Sequence, residues 1–127
     1  MSNSQIDSED KIHTECYCWF HNEYPALRGL LCYNLGNSKN AIDGARNRAK
    51  GLQKGRSDLV LYFNEKAYMI ELKNTYGEQS NEQKDWELAV QIQGFQYFLI
   101  RSLSEFQELI KKILYERRPT KICTAIR

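Results

Sequence analysis

Residues 57–73, SDLVLYFNEKAYMIELK, carry the clearest indication of the fold. It contains two apolar runs, residues 57–63 and 66–73, separated only by Asn64 and Glu65. Apolar and aromatic runs on either side of a two-residue break are typical of a β-hairpin. Both runs are apolar at successive positions, which indicates strands that are covered on both faces. We therefore predict that this hairpin lies at the centre of a sheet with a layer on each side.

The length of the hairpin loop determines which side chains share a face. Directly opposed residues on antiparallel strands point to the same face. A two-residue loop pairs Phe63 with Lys66 and therefore sets Asp58 opposite Glu71. Because strand side chains alternate, Glu71 and Lys73 also project to one face. A three-residue loop would place the two carboxylates on opposite faces.

The residues before the hairpin predict a helix, a strand and a second, short helix. Apolar residues at helical spacing follow Ser8 and Asp10, either of which could cap the first helix, and Pro25 ends it. Residues 30–35 read as a short strand, and residues 41–50 as a short helix that Gly51 and Gly55 follow.

The residues after the hairpin predict a helix, a strand and a final helix. Ser80 opens a helix that Gly94 ends, and residues 95–100 form a buried strand. Ser102 and Glu105 have the spacing of a capping box before an amphipathic helix. The whole order predicts an α/β fold in which a mixed sheet is flanked by helices, with one more helix at its C-terminal end.

Composition predicts one ordinary globular domain. The 127 residues are 42% apolar and 27% charged, and the segment 1–7 is polar and expected to be disordered.

No apolar run approaches the roughly 20 residues that span a bilayer, so we expect no membrane association. No export signal follows Met1, so we expect the four cysteines to be reduced thiols in the cytoplasm of a bacterial or phage-infected cell.

Positive charge is concentrated just before the hairpin. Residues 39–56 contain one acidic residue, Asp43, and six basic residues: Lys39, Arg46, Arg48, Lys50, Lys54 and Arg56. A basic segment beside an acidic site is what a polyanionic substrate requires. A solvated loop is the alternative, and composition alone favours that alternative.

Asp58, Glu71 and Lys73 together suit phosphodiester chemistry. Two carboxylates and a backbone carbonyl are the hard oxygen ligands that Mg²⁺ prefers. A lysine beside them can orient an attacking water and stabilise charge on the phosphate. A bare Glu-x-Lys is more often a salt bridge at a strand end. Asp58 and the basic segment are what favour the catalytic interpretation.

These residues resemble a known nuclease family, the virus-type replication-repair nuclease (VRR-NUC) domain, a branch of the PD-(D/E)xK superfamily. The resemblance covers about residues 10–114 and rests on Gly55-x-x-Asp58, Glu71-x-Lys73, Gly77, Ser80 and Gln83, with Thr14-Glu15 and Gly36-Asn37 upstream. It implies the αβββαβ core of that superfamily and a stand-alone, homodimeric protein of the kind carried by phages and bacteria. Ser57 stands where the superfamily pattern has proline.

The resemblance also implies a role for each site residue. Asp58 and Glu71 would bind Mg²⁺ or Mn²⁺ together with the backbone carbonyl of Leu72, and Lys73 would be the catalytic lysine. Glu15 would hold a metal-bound water or a second metal, although an exposed helix acid is an equally good interpretation.

Gln83 has two interpretations. Its position in the family pattern implies an approach to the site or to DNA. Its spacing from Ser80 is also that of a capping box, which is a sufficient structural reason for a glutamine there.

The resulting hypothesis is a metal-dependent DNA endonuclease that hydrolyses phosphodiester bonds. We expect it to select structured DNA, such as junctions, flaps or nicking sites, in replication, repair or recombination, and to leave a 5′-phosphate. One alternative is a non-catalytic nucleic-acid-binding protein on a nuclease fold. Another is a single-strand or RNA exonuclease of the same fold.

Overall fold

A computed structural model describes residues 6–34 and 40–115 of the chain. Its helices are α1 (Glu9–Glu23), α2 (Ala41–Ala49), α3 (Asn81–Ile92) and α4 (Leu103–Tyr115), with a short 3-10 helix at Pro25–Leu27. Its strands are β1 (Leu31–Tyr33), β2 (Leu59–Phe63), β3 (Lys66–Leu72) and β4 (Gln96–Ile100). This is the predicted order of elements, with strands shorter than the apolar runs. Lys39, the Gly36-Asn37 pair and most of the segment 1–7 lie outside the described residues.

The four strands form one mixed sheet in the order β1-β2-β3-β4. β1 and β2 pair antiparallel, as do β2 and β3, whereas β3 and β4 pair parallel. Parallel neighbours need a crossover, and α3 supplies it between β3 and β4. The predictions of a mixed sheet and of a central hairpin are therefore confirmed.

The hairpin has the two-residue loop that the sequence predicts. Phe63 pairs with Lys66, and Leu59 pairs with Ile70 at the other end of β2. Asn64 and Glu65 have φ angles of 55° and 69°, the left-handed values that a type I′ turn requires. Glu65 adopts this conformation without being a glycine, so the turn carries some backbone strain.

The predicted helix caps are present at the beginnings of α1 and α3. Oγ of Ser8 accepts a hydrogen bond from the backbone N–H of Lys11 at 3.1 Å. Ser80 and Gln83 form a complete capping box at α3. Gly94, just beyond the end of α3, has a φ of 97° and so ends the helix in the predicted way.

The capping box predicted for α4 is only half formed. Oγ of Ser102 accepts from the backbone N–H of Glu105 at 3.1 Å, as expected. Oε1 of Glu105, however, accepts from the backbone N–H of Arg101 at 2.8 Å rather than from that of Ser102. The glutamate satisfies an N–H at the end of β4, so it joins the strand to the helix.

Each face of the sheet carries its own apolar cluster. The larger cluster packs α1 and α4 on one face, around fully buried residues that include Phe20, Ile70 and Phe106. The smaller lies towards α3 on the other face, where Val60, Met69, Val90 and Tyr97 are buried with Ala67 and Trp86 against them. Because β3 side chains alternate, Glu71 lies on the same face as Met69, beside the smaller cluster.

None of the helices in residues 6–34 and 40–115 is long and apolar enough to span a membrane.

Candidate active site

Glu71 lies near the end of β3 with none of its surface exposed. Its Oε1 accepts hydrogen bonds from the hydroxyl of Tyr97 and from Nε2 of Gln79, the latter at 3.1 Å. Its Oε2 is buried and has no hydrogen-bond donor among the described residues. That oxygen lies 3.6 Å from Nζ of Lys73. The two oxygens of one carboxylate therefore have different surroundings.

Asp58 comes directly before β2 and one pair beyond the Leu59–Ile70 pair, which places it opposite Glu71. Its Oδ2 accepts a hydrogen bond from the backbone N–H of Leu72 at 2.7 Å. The predicted register therefore does bring the two carboxylates to the same end of the hairpin, with Leu72 directly after Glu71 on the chain.

The pKa of Asp58 is raised above its ordinary value, mainly because burial disfavours the charged carboxylate. The negative charges of Glu71 and Glu9 raise it further, whereas the Leu72 N–H and His13 act in the opposite direction. The electrostatic neighbours of Asp58 thus include two residues of α1, Glu9 and His13.

Lys73 is mostly buried, with 11% of its side chain exposed. Its backbone N–H donates to the carbonyl of Ile100 at 3.0 Å and so extends the pairing of β3 with β4. A Cβ placed on Gly77 would lie 3.2 Å from Cδ of Lys73 and 3.0 Å from Oε2 of Glu9. Glycine at position 77 therefore leaves room for the lysine and for an acid of α1.

Glu15 forms an ion pair within α1. Its Oε2 pairs with Nζ of Lys11 at 3.5 Å, and its side chain is 39% exposed. The acid of α1 whose charge acts on Asp58 is Glu9. The geometry therefore lends no support to the role expected of Glu15. Glu9, although exposed, is the acid of α1 whose charge acts on Asp58 and whose carboxylate lies beside Gly77.

The sequence did contain a signal for Glu9 and His13. These residues lie one turn apart, and continuing at helical spacing leads to Cys16 and Phe20, which are both buried. His13, which is half-buried, and Glu9, which is exposed, therefore continue this buried stripe towards the N-terminus of α1.

Three further polar residues near Glu71 were missed: Gln79, Tyr97 and Glu87. Gln79 Nε2 donates to Oε1 of Glu87 at 3.0 Å as well as to Glu71. Tyr97 comes from β4, where it pairs with Met69. No sequence motif marks these residues, because β4 reaches β3 through a crossover rather than a short turn.

A cleft of about 680 Å³ adjoins Asp58, between α2, the following loop and the first turn of α3. Three of the predicted basic residues line it, namely Arg48, Lys54 and Arg56. Arg46 and Lys50 are exposed and are not among the lining residues. The structure therefore divides the basic segment into side chains that face the cleft and side chains that do not.

Gly55 and Arg56 form the wall of this cleft that meets α3. A Cβ on Gly55 would lie 2.4 Å from the backbone carbonyl carbon of Glu82, and the φ of Gly55 is +80°. The guanidinium of Arg56 lies over the ring of Trp86, 5.1 Å from its centroid. Glycine at position 55 thus allows the loop to pack directly on the first turn of α3.

Gln83 forms the predicted capping box and also lines the cleft. Its Oε1 accepts from the backbone N–H of Ser80 at 2.8 Å, which completes the capping box. It is also one of the residues that line the cleft.

No protein-family model and no curated protein matches this sequence. Among solved structures, a chain described as a VRR_NUC domain protein is similar, with a TM-score of 0.72. The similarity covers 86% of this chain and 89% of that one, at 14% sequence identity. This chain has the VRR_NUC fold. The resemblance read from the sequence and the three-dimensional similarity therefore agree on the same fold.

Within this VRR_NUC fold, the residues fit a hard divalent cation that keeps several waters. Asp58 and Glu71 lie at the same end of the sheet, and Oε2 of Glu71 is a buried oxygen without a donor among the described residues. No group of three or more His, Cys, Asp or Glu side chains is brought together for a metal within residues 6–34 and 40–115. Two carboxylates and a carbonyl suit Mg²⁺ or Mn²⁺ better than Zn²⁺, which takes three or four protein ligands.

Proposed function

We propose that this protein is a metal-dependent DNA nuclease that hydrolyses phosphodiester bonds, with Asp58, Glu71 and Lys73 as its active-site residues. The observation that carries the proposal is the fully buried carboxylate of Glu71, with one oxygen lacking a donor among the described residues and 3.6 Å from Nζ of Lys73. Burial of an incompletely hydrogen-bonded carboxylate is destabilising, by several kcal/mol per ion after relaxation. Local violations of this kind are concentrated at functional sites.

The residues divide the chemistry among them. Asp58, Glu71 and the carbonyl of Leu72 would hold Mg²⁺ or Mn²⁺. The bound ion would supply Lewis-acid stabilisation of the phosphate oxygens and a lowered pKa for an attacking water. Lys73 would orient that water and balance the negative charge that develops on the phosphate. Its position beside Glu71 holds the ammonium at the site.

The cleft supports DNA as the substrate. Arg48, Lys54 and Arg56 line it together with Asp58, so the basic side chains and one of the proposed ligands share one depression. Contacts from such side chains to phosphates position a duplex without reading its bases. We therefore propose selection by DNA structure, at junctions, flaps or nicking sites in replication, repair or recombination, with a 5′-phosphate left on the product.

The proposal extends to assembly and location. The family resemblance favours a homodimer, and light scattering after gel filtration would test that state directly. A cytoplasmic location in a bacterial or phage-infected cell is part of the same proposal.

The decisive experiment is a cleavage assay on a panel of junction, flap, nicked duplex, intact duplex, single-stranded DNA and RNA substrates. Each substrate is tested with Mg²⁺, with Mn²⁺ and with EDTA. Cleavage that requires the metal and favours branched DNA is expected. Lys73→Ala should abolish cleavage while DNA binding and thermal unfolding stay close to wild type. Lys66→Ala is the matched control, because Lys66 is an exposed lysine at the opposite end of β3.

The outcomes separate the alternatives. Cleavage in EDTA, or undiminished cleavage by Lys73→Ala, would contradict the proposed site. Binding without cleavage in any metal would indicate a non-catalytic nucleic-acid-binding protein. Preference for single strands or RNA, with products shortened from an end, would replace the structure-directed endonuclease with an exonuclease.

A further inference from the structure

The side-chain amide of Gln79 lies among three oxygen atoms. Its Nε2 is 3.1 Å from Oε1 of Glu71, 3.0 Å from Oε1 of Glu87 and 3.5 Å from the hydroxyl of Tyr97. Ionised carboxylates only accept hydrogen bonds, so the amide must turn its NH₂ group towards the two glutamates. The NH₂ group of Gln79 therefore donates one hydrogen bond to Glu71 and one to Glu87. The bond to Glu87 holds the Gln79 amide in place beside Glu71.

The Tyr97 hydroxyl completes the arrangement. It donates its proton to the same Oε1 of Glu71 that accepts from Gln79. A carboxylate oxygen has about two lone-pair sites, and both sites of Oε1 are now occupied.

The other oxygen of Glu71 is left available. Oε2 is buried, has no donor among the described residues and lies 3.6 Å from Nζ of Lys73. Turning the carboxylate out of this orientation would break both hydrogen bonds to Oε1. The two donors therefore fix the orientation of the carboxylate and with it the direction in which Oε2 points.

We infer that Gln79 and Tyr97 are positioning residues, which hold Oε1 of Glu71 so that Oε2 is presented to the divalent cation and to Lys73. This inference rests on the proposed function, because it assigns Glu71 to the cation. Partners that hydrogen-bond to a ligating carboxylate orient it and tune its affinity, and their removal typically weakens metal binding or activity about 10–100-fold.

The test measures Mn²⁺ binding directly, by calorimetry and by the electron paramagnetic resonance signal of free Mn²⁺. It compares wild type with Tyr97→Phe, Gln79→Met and the double variant. Phenylalanine keeps the aromatic ring of Tyr97 in the smaller apolar cluster. Methionine keeps the length of the glutamine side chain without its hydrogen-bond donors. Tyr68→Phe is the control, because Tyr68 is a buried tyrosine on the opposite face of the same sheet.

Each single variant should weaken Mn²⁺ binding, and the double variant should weaken it by about tenfold or more. The Mn²⁺ concentration for half-maximal cleavage should rise in parallel, and excess Mn²⁺ should restore much of the rate. Tyr68→Phe should leave the Mn²⁺ affinity unchanged. A residue that only stabilised the fold would lower the melting temperature without changing the metal dependence.

The result that would overturn the inference is a folded double variant with the Mn²⁺ affinity and metal dependence of wild type. In that case wild type would still bind Mn²⁺ and cleave DNA. The proposed function would be retained, and only the positioning role of Gln79 and Tyr97 would be rejected. Failure of wild type to bind Mn²⁺, or cleavage by Lys73→Ala, would instead remove the proposed function and this inference with it.

Discussion

The carboxylate of Asp58 accepts a hydrogen bond of 2.7 Å from the backbone N–H of Leu72. This bond joins the residue before β2 to the last residue of β3. It therefore closes the open end of the hairpin at the point where Glu71 and Lys73 project. The carbonyl of the same Leu72 is one of the proposed metal ligands, so Asp58 also orients the backbone of the site.

Replacement of Asp58 by asparagine should stabilise the metal-free protein at neutral pH. The pKa of Asp58 is raised above its ordinary 3.8, chiefly by burial, so the native state holds this proton more tightly than the unfolded chain. Stability is therefore lost as pH rises from 3.8 through the native pKa. An asparagine side chain would be neutral and would still offer an oxygen to the N–H of Leu72.

Thermal unfolding in EDTA at several pH values measures this effect. Asp58→Asn should melt above wild type at pH 7, and the difference should disappear below pH 3.8, where the wild-type carboxyl is protonated in both states. Asp85→Asn, at an exposed position of α3, should show little of this dependence. A lower melting temperature for Asp58→Asn at pH 7 would mean that the charge stabilises the fold.

Alanine at Gly55 should destabilise the protein more than alanine at Gly51. Both glycines have a positive φ, +80° and +105°, so both substitutions strain the backbone. Only at Gly55 would the new Cβ meet other atoms, 2.4 Å from the backbone of Glu82. Such overpacking typically costs about 1–3 kcal/mol beyond the strain. Urea unfolding of the two variants isolates that contact, and equal losses would show that the loop moves away without cost.

Glycine at Glu65 should stabilise the hairpin. Glu65 has a φ of 69°, where a non-glycine residue costs roughly 1–2 kcal/mol, and glycine recovers that cost less its own greater unfolded-state entropy. A net gain of a few tenths to about 1 kcal/mol is expected from urea unfolding. Cleavage should be unaffected, because the loop lies at the end of the hairpin remote from Asp58. A clear loss of stability would contradict the inferred turn strain.

The basic side chains that line the cleft should contribute more to the salt dependence of DNA binding than those outside it. Arg48→Ala with Lys54→Ala, and Arg46→Ala with Lys50→Ala, remove the same charge, but only the first pair lines the cleft. Each phosphate contact contributes about 0.9 to the slope of log affinity against log salt. The first pair should therefore flatten the slope by about 1.8 and the second by little.

Binding is measured in the Lys73→Ala background without metal, so that cleavage does not interfere. Equal slopes for the two double variants would mean that long-range charge, rather than the cleft, attracts the DNA.

Much of the site was predictable because the hairpin is local. A two-residue loop leaves one register, so the positions of Asp58 and Glu71 relative to each other follow from the spacing of residues 58–71 alone. The caps at Ser8 and Ser80 were predictable for the same reason, since each depends on residues within one helical turn.

The relative positions of the two carboxylates and the lysine follow from the sequence alone, because local turn geometry and strand alternation are sufficient to place them. The residues that surround that pair are set by packing between distant segments of the chain. The rotation of α1 is set by packing of its buried stripe, so Glu9 rather than Glu15 lies near Asp58. Tyr97 reaches Glu71 from a strand whose register depends on how α3 packs across the sheet. Helical spacing groups Glu9 with the buried stripe of α1, but which part of the sheet that stripe meets depends on packing of the whole core.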